Sequence, residues 1–76
     1  MYRSSLKIYF ECFVGDYYIS AGRYTDYLSQ DDYISVLDTT TRETISQPVE
    51  PGDMFKAFCN TVSEYEQKTG CKSSRI

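Results

Sequence analysis

Apolar and polar residues alternate along residues 5–14, the pattern of a β-strand with one buried face. Gly15 and Asp16 follow as a two-residue turn, because glycine accepts the positive φ that such turns require. A hairpin closed by this turn keeps apolar residues opposite one another, so the turn and the alternation predict the same register. The predicted pairs are Val14 with Tyr17, Cys12 with Ile19 and Phe10 with Ala21.

The outer side of this hairpin is rich in aromatic residues. It pairs Phe13 with Tyr18, and Tyr9 is expected diagonally nearby. If a helix covers the side that carries Leu6, these rings lie in water or against a partner. The predicted inner positions of the first strand are Leu6, Ile8, Phe10, Cys12 and Val14, and the outer positions are Lys7, Tyr9, Glu11 and Phe13.

Residues 33–38 and 43–49 predict a second hairpin, with its turn in 39–42. Pairing Val36 with Ile45 points both side chains inward. The same register sets Asp38 beside Glu43, which is mildly unfavourable, so a register shifted by one residue is also open. Pro48 marks a strand end or an edge strand, since proline cannot donate to a ladder. The preceding segment, residues 22–32, is compatible with a long loop, a short helical turn or a continuation of the second strand.

Residues 50–70 predict one amphipathic helix over about 51–69. Pro51 suits the first turn and Gly70 suits a left-handed stop after the last turn. The tail, residues 71–76, is polar and is predicted to fray. The apolar stripe comprises Met54, Phe55, Phe58, Cys59, Val62 and Tyr65.

These elements predict a single α+β domain over residues 1–76. Its small antiparallel β-sheet has three to four strands in two hairpins, and one C-terminal α-helix packs on one face. A chain of 76 residues has room for one sheet and one helix, and an enclosed substrate cavity is not expected at this size.

The residue types exclude most catalytic chemistry. The sequence has no histidine, which excludes Ser-His-Asp and Cys-His catalysis and most zinc sites. The four glycines are scattered, so there is no phosphate-binding loop. Asp31 and Asp32 lack the spacing of a calcium loop. We therefore predict a protein that is not an enzyme and has no cofactor and no metal.

Three cysteines without a CxxC pair favour a reducing compartment. No apolar run follows Met1, and no stretch is long enough to span a bilayer. Cys12 and Cys59 fall on predicted apolar faces and are expected in the core. These patterns predict a cytoplasmic protein without a membrane partner, located in the host cytoplasm if the gene is viral.

Charge is uneven along the chain. The net charge is −3, yet residues 11–53 carry nine acidic and only two basic side chains. Such a segment repels phosphate, so direct nucleic-acid binding is not expected, and a larger protein with a basic surface is favoured as partner. The competing interpretation is that the acids only keep a small domain soluble. The predicted partner-binding residues combine rings and carboxylates: Tyr24, Asp26, Tyr27, Asp31, Asp32, Tyr33, Asp38 and Glu43.

In size, acidity and lack of motifs, the chain resembles small phage and mobile-element inhibitors such as anti-CRISPR and anti-restriction proteins. The resemblance implies a non-enzymatic inhibitor that blocks a basic nucleic-acid-binding groove of a larger host enzyme. Its carboxylates would replace phosphates, and its tyrosine rings would replace bases. Reversing the charges of Asp31 and Asp32 is then expected to abolish binding and leave the fold intact.

The alternative function is that of a self-associating structural or regulatory protein. A homodimer would bury the outer, uncovered side of the sheet. The predicted self-association residues are Tyr9, Phe13 and Tyr18.

Overall fold

The computed structural model describes residues 5–26 and 28–75, which form one antiparallel sheet covered on one face by one helix. Across the sheet the strands lie in the order β4-β3-β2-β1-β5. The α+β prediction is confirmed, with one strand more than expected. The elements are β1 (Ser5–Val14), β2 (Tyr17–Thr25), β3 (Gln30–Asp38), β4 (Thr44–Val49), α1 (Met54–Thr69) and β5 (Ser73–Arg75).

The first hairpin has the predicted register. Cys12 lies opposite Ile19 and Phe10 lies opposite Ala21, and Gly15 has the positive φ, 59°, that the turn requires. Beyond the hairpin, β2 and β3 pair without interruption from Tyr17↔Asp38 to Thr25↔Gln30. Of the three alternatives for residues 22–32, continuation of the second strand is therefore correct.

A β-bulge at Tyr9 divides β1 into two halves. Phe10 pairs with Ala21 and Ile8 pairs with Gly22, so Tyr9 is the extra residue. The prediction that Leu6 and Ile8 face the helix is therefore wrong. The bulge turns both toward the opposite face of the sheet. Near Leu6 and Ile8 the strands extend past the start of α1. The helix side of the sheet therefore carries charged residues there in place of apolar ones.

The second hairpin also has the predicted register, with Val36 opposite Ile45. Its turn contains Arg42 at a φ of 66°, and the amide of Asp38 donates to the carbonyl of Glu43 over 2.9 Å. β4 is an edge strand and carries Pro48, as expected for a residue without a backbone donor.

Helix α1 begins later than predicted and ends where predicted. Pro51 and Gly52 form a turn before the helix, and Asp53 is its N-cap. At the other end, Gly70 has a left-handed conformation with φ 75°, and its N–H donates to the carbonyl of Glu66. Glycine supplies this left-handed cap without a steric cost from a Cβ atom.

The core lies between α1 and strands β1 to β3, and α1 contacts those three strands. Met54, Phe58, Val62 and Tyr65 point into it as predicted. Cys59 is exposed, so its predicted core position is wrong. The buried apolar residues are Cys12, Val14, Ile19, Ala21, Ile34, Val36 and Met54.

Phe55 was also predicted on the buried stripe, but it is 61% exposed. Its ring contacts Phe10, with centroids 5.2 Å apart. The stripe that faces the sheet is therefore narrower than the sequence pattern suggested. Phe55 and Cys59 lie on the helix flank, where both border a cleft with Glu11 and Ser73.

The predicted fraying of the tail is wrong for residues 73–75. Ser73 pairs with Val14 as the first residue of β5. Its amide also donates to Glu66 Oε2 over 2.7 Å, and this bond ties β5 to the end of α1. Among the described residues, no helix has the length and apolar composition to cross a bilayer. The molecule measures 45 × 26 × 19 Å.

Candidate binding surface

The sheet face opposite α1, here called the open face, has no layer over it within the described part of the chain. Strand alternation assigns its residues from the pairing register. They are Leu6, Ile8, Glu11 and Phe13 of β1; Tyr18, Ser20, Gly22 and Tyr24 of β2; Asp31, Tyr33, Ser35 and Leu37 of β3; Thr44, Ser46 and Pro48 of β4; and Ser74 of β5.

Four large apolar side chains on the open face are exposed. Leu6 is 57% exposed, Ile8 43%, Phe13 40% and Tyr24 39%. The four belong to adjacent strands, and the register sets Leu6 directly opposite Tyr24. They therefore belong to one surface that spans both halves of β1.

Tyr18 is fixed on the open face by a hydrogen bond. Its hydroxyl donates to Glu11 Oε2 over 2.8 Å, and its ring lies 5.3 Å from that of Phe13. Burial and then the Glu11 carboxylate raise the pKa of Tyr18 to about 12. Glu11 therefore has a partner within the chain and is held in one orientation.

Tyr33 packs across Gly22. A Cβ atom at Gly22 would collide with the carbonyl oxygen of Lys7 and lie 2.9 Å from the hydroxyl of Tyr33. Burial also raises the pKa of the Tyr33 hydroxyl. Because Gly22 has no side chain, the β1 backbone and the Tyr33 ring can close over β2 at this point.

A shallow depression of about 480 Å³ lies on this face. Its rim includes the exposed side chains of Leu6, Ile8, Tyr24 and Asp31. Apolar side chains form most of this rim, and serines of β2, β3 and β4 contribute the hydroxyl groups. The complete lining is Leu6, Ile8, Tyr18, Ser20, Tyr24, Asp31, Tyr33, Ser35 and Ser46.

The structure brings together three of the eight predicted partner-binding residues. Tyr24 and Asp31 are direct cross-strand partners, and Tyr33 follows two positions later on the same face. All three line the depression. Tyr27 lies outside the described residues.

Asp32 lies on the helix side of the sheet, away from Asp31. It is 7% exposed, and its Oδ1 accepts from Nε of Arg23 over 2.7 Å. This contact raises the pKa of the Arg23 guanidinium. Asp32 thus forms a structural ion pair with Arg23. Reversing its charge would disturb the fold, contrary to the expectation from the sequence that the fold would stay intact.

The other predicted acids lie at the strand ends. Asp38 Oδ1 accepts from the amide of Thr40 over 2.9 Å, which stabilises the β3–β4 turn. Glu43 is exposed in the same turn. The amide of Asp26 donates to Ser29 in the turn after β2. These carboxylates therefore do not continue the surface formed by Tyr24, Asp31 and Tyr33.

The predicted self-association residues also separate. Phe13 and Tyr18 are in contact on the open face. The ring of Tyr9 instead lies 5.3 Å from Nζ of Lys7 and 5.8 Å from the guanidinium carbon of Arg23. The bulge causes this separation, because it places Tyr9 beside charged residues of the helix side.

Sequence reasoning missed Leu6 and Ile8 as surface residues. The alternation of β1 continues unbroken through the bulge, so the pattern does not show the extra residue. One signal was present, since an isolated glycine within a strand often marks a bulge or a close backbone approach. Gly22 is such a residue.

The open face offers aromatic rings, apolar groups, hydroxyls and two carboxylates, which is a set of groups suited to binding. In residues 5–26 and 28–75, no group of three His, Cys, Asp or Glu side chains is arranged to hold a metal ion. Comparison of the chain with family models, curated proteins and solved structures gives no significant match. Function must therefore be argued from the surface itself.

Proposed function

We propose that this chain is a non-enzymatic binding protein that contacts another protein through the open face. The observation that carries the proposal is the exposure of Leu6, Ile8, Phe13 and Tyr24 on one uncovered sheet surface. A sheet normally buries at least one apolar face against another layer. Here the helix already covers one face, and the other still carries exposed apolar side chains.

The charges of the open face favour a basic protein as the partner. Of the described residues on this face, only Glu11 and Asp31 are charged, and both are acidic. A phosphate backbone would be repelled, so the rings are not expected to stack bases. Apolar side chains with two acids beside them match a partner with an apolar patch and basic side chains next to it.

Affinity capture with surface variants tests the proposal. The test variant combines Ile8→Lys with Phe13→Lys, and the matched control is Phe55→Lys, since Phe55 is an exposed aromatic residue on the helix flank. Each tagged chain is incubated with lysate, and captured proteins are quantified by mass spectrometry. We expect the double variant to lose a partner that the control retains. Equal capture by a folded double variant would contradict the proposal.

The finer hypothesis is that the partner is a nucleic-acid-handling enzyme and that binding blocks its basic groove. It includes a phage or mobile-element origin, in the style of anti-CRISPR or anti-restriction inhibitors. It is supported by Glu11 and Asp31, the two acids of residues 11–53 that the register places on the open face. The test is competition, in which added nucleic acid should displace the chain from the captured enzyme, and Asp31→Lys alone should weaken capture. Binding unaffected by nucleic acid would reject inhibition by this route.

Self-association is the second candidate, and the exposed contact between Phe13 and Tyr18 favours it. Two open faces would then pack against each other around a two-fold axis. Light scattering over a dilution series tests this candidate. A dimer that dissociates on dilution, and that Phe13→Lys abolishes, would support it. A monomer at the highest concentration would exclude it.

A further inference from the structure

We infer that the anchor recognised on the open face is an arginine side chain beside an apolar residue, held at the corner formed by Leu6, Tyr24, Asp31 and Tyr33. This inference rests on the proposed function, because it specifies what part of a partner protein the open face binds. We call these four residues the Tyr24–Asp31 corner.

The strand register fixes the geometry of this corner. Tyr24 lies between Leu6 of β1 and Asp31 of β3, as the cross-strand partner of both. Directly opposed residues have Cβ atoms about 4.5–5.5 Å apart. Tyr33 is two residues beyond Asp31 and therefore on the same face, about 7 Å along the strand. One carboxylate, two rings and one aliphatic side chain thus surround a single site in the depression.

Asp31 differs from the other carboxylate of the open face. Glu11 accepts a hydrogen bond from Tyr18, whereas Asp31 is exposed and its carboxylate forms no hydrogen bond or ion pair with any described residue. Arg23, which precedes Tyr24 on β2, pairs with Asp32 on the helix side. An exposed carboxylate beside aromatic rings therefore has charge available for a partner.

Guanidinium chemistry fits this corner better than ammonium chemistry. A guanidinium is planar, so it can stack on a tyrosine ring while its N–H groups donate to a carboxylate. An ammonium is a hydrated point charge without a face to stack. The aliphatic side chains of Leu6 and Ile8 then contact an apolar residue next to the arginine.

A second copy of the chain is a poorer occupant. In the described part of the chain, the open face carries no lysine or arginine. Two such faces packed around a two-fold axis would bring four carboxylates to one interface without a basic side chain to pair with them. Charge complementarity therefore selects a basic partner over self-pairing.

Dipeptide probes test the inference by NMR. The ¹⁵N-labelled full chain is titrated with acetyl-leucyl-arginine amide, with its lysine analogue, and with its citrulline analogue, which has the same shape and no charge. We expect amide shifts at Tyr24, Asp31 and Tyr33, with the arginine probe binding about fivefold more tightly than the citrulline probe. Asp31→Asn should remove this preference, and the matched control Glu43→Gln should keep it.

Several outcomes overturn the inference. One is that the arginine probe causes no saturable amide shifts. A second is that the citrulline or the lysine analogue binds as tightly as the arginine probe, and a third is that the preference for arginine persists in Asp31→Asn. A fourth is that the shifts map to Asp38 and Glu43 instead of the corner. The amide spectrum of each variant first establishes that it is folded. Failure here leaves the proposed function to its own test, the capture experiment with Ile8→Lys and Phe13→Lys.

Discussion

Gly22 combines a packing role and a surface role in one position. Its missing side chain lets the carbonyl of Lys7 and the hydroxyl of Tyr33 approach β2. The same approach fixes Tyr33 on the open face, at the edge of the Tyr24–Asp31 corner. A substitution here is therefore expected to disturb the fold and the binding surface together.

Gly22→Ala should destabilise the protein by about 1–3 kcal/mol, the usual cost of overpacking a filled site. The cause is steric, since Gly22 is not among the glycines with positive φ. Urea unfolding monitored by circular dichroism measures the change. Ser35→Ala, on the neighbouring strand, is the control and should change the unfolding free energy by less than about 0.5 kcal/mol. Equal stability of Gly22→Ala and the wild type would show that the β1 backbone can move away.

Tyr18 should make stability depend on alkaline pH. Its pKa is raised from 10.0 to about 12 in the folded protein, so the unfolded chain loses this proton first. The contribution of Tyr18 is complete below pH 10, and it is lost as the pH rises toward about 12. Unfolding free energies of the wild type and Tyr18→Phe, measured across this window, should converge as the pH rises. Parallel curves would contradict the raised pKa of Tyr18.

Strand β1 acts as two half-strands joined at Tyr9. After the bulge, Phe10, Cys12 and Val14 pack under α1, and before it Leu6 and Ile8 belong to the open face. Without Tyr9, Ile8 would directly precede Phe10. Ile8 would still pair with Gly22 and point to the open face, and Phe10 would still pair with Ala21 and point to the helix side. Leu6 and Ile8 can therefore keep their face in a regular ladder without a bulge.

Deletion of Tyr9 should therefore yield a folded protein that keeps Leu6 opposite Tyr24. The expected readout is a set of nuclear Overhauser contacts between these two side chains, at an unfolding free energy within about 1–2 kcal/mol of the wild type. Deletion of Glu11 is the control. It removes a residue from the regular part of the ladder, so Phe10 moves from the helix side to the open face. The core contacts of Phe10 with α1 are then lost, and the fold should be strongly destabilised.

Elements fixed by local chemistry were predictable from the sequence. The Gly15 turn, the register of both hairpins and the stop at Gly70 each depend on a few neighbouring residues. The bulge and β5 depend on distant contacts. β5 forms because Ser73 reaches both β1 and the Glu66 side chain, and a polar tail gives no pattern that reveals this.

The binding surface was predictable only in part, for the same reason. The density of tyrosine and aspartate indicated Tyr24, Asp31 and Tyr33, which do share a surface. Sequence spacing did not distinguish Asp31 from Asp32, because adjacent strand residues point to opposite faces. Which of the two faces is covered depends on where α1 begins relative to the sheet. That position is set by tertiary contacts, which local sequence spacing does not show.

At the scale of the whole molecule, two thin layers give a small core. The largest fully buried side chains are Ile19 and Val14. One helix, about 10 Å wide, covers strands spaced about 4.8 Å apart, so it shields only part of a five-stranded sheet. Much of the sheet therefore remains in contact with water when the chain is alone.

The isolated chain should accordingly have a low unfolding free energy, about 3–5 kcal/mol at 25 °C. Equilibrium urea unfolding monitored by tyrosine fluorescence measures it. A saturating partner should raise the apparent stability, because a ligand that binds only the folded state shifts the equilibrium toward it. An unfolding free energy above about 8 kcal/mol for the isolated chain would contradict this view of the core.

The bulge at Tyr9 has a consequence for how this protein can evolve. Substitutions at positions 6 and 8 change the outward surface without altering the volume under α1, while substitutions at positions 12 and 14 change the interior without altering that surface. Selection for a new target and selection for folding can therefore act on separate residues of one strand. A lineage under pressure to follow a changing target would be expected to diversify positions 6 and 8 and to preserve positions 12 and 14.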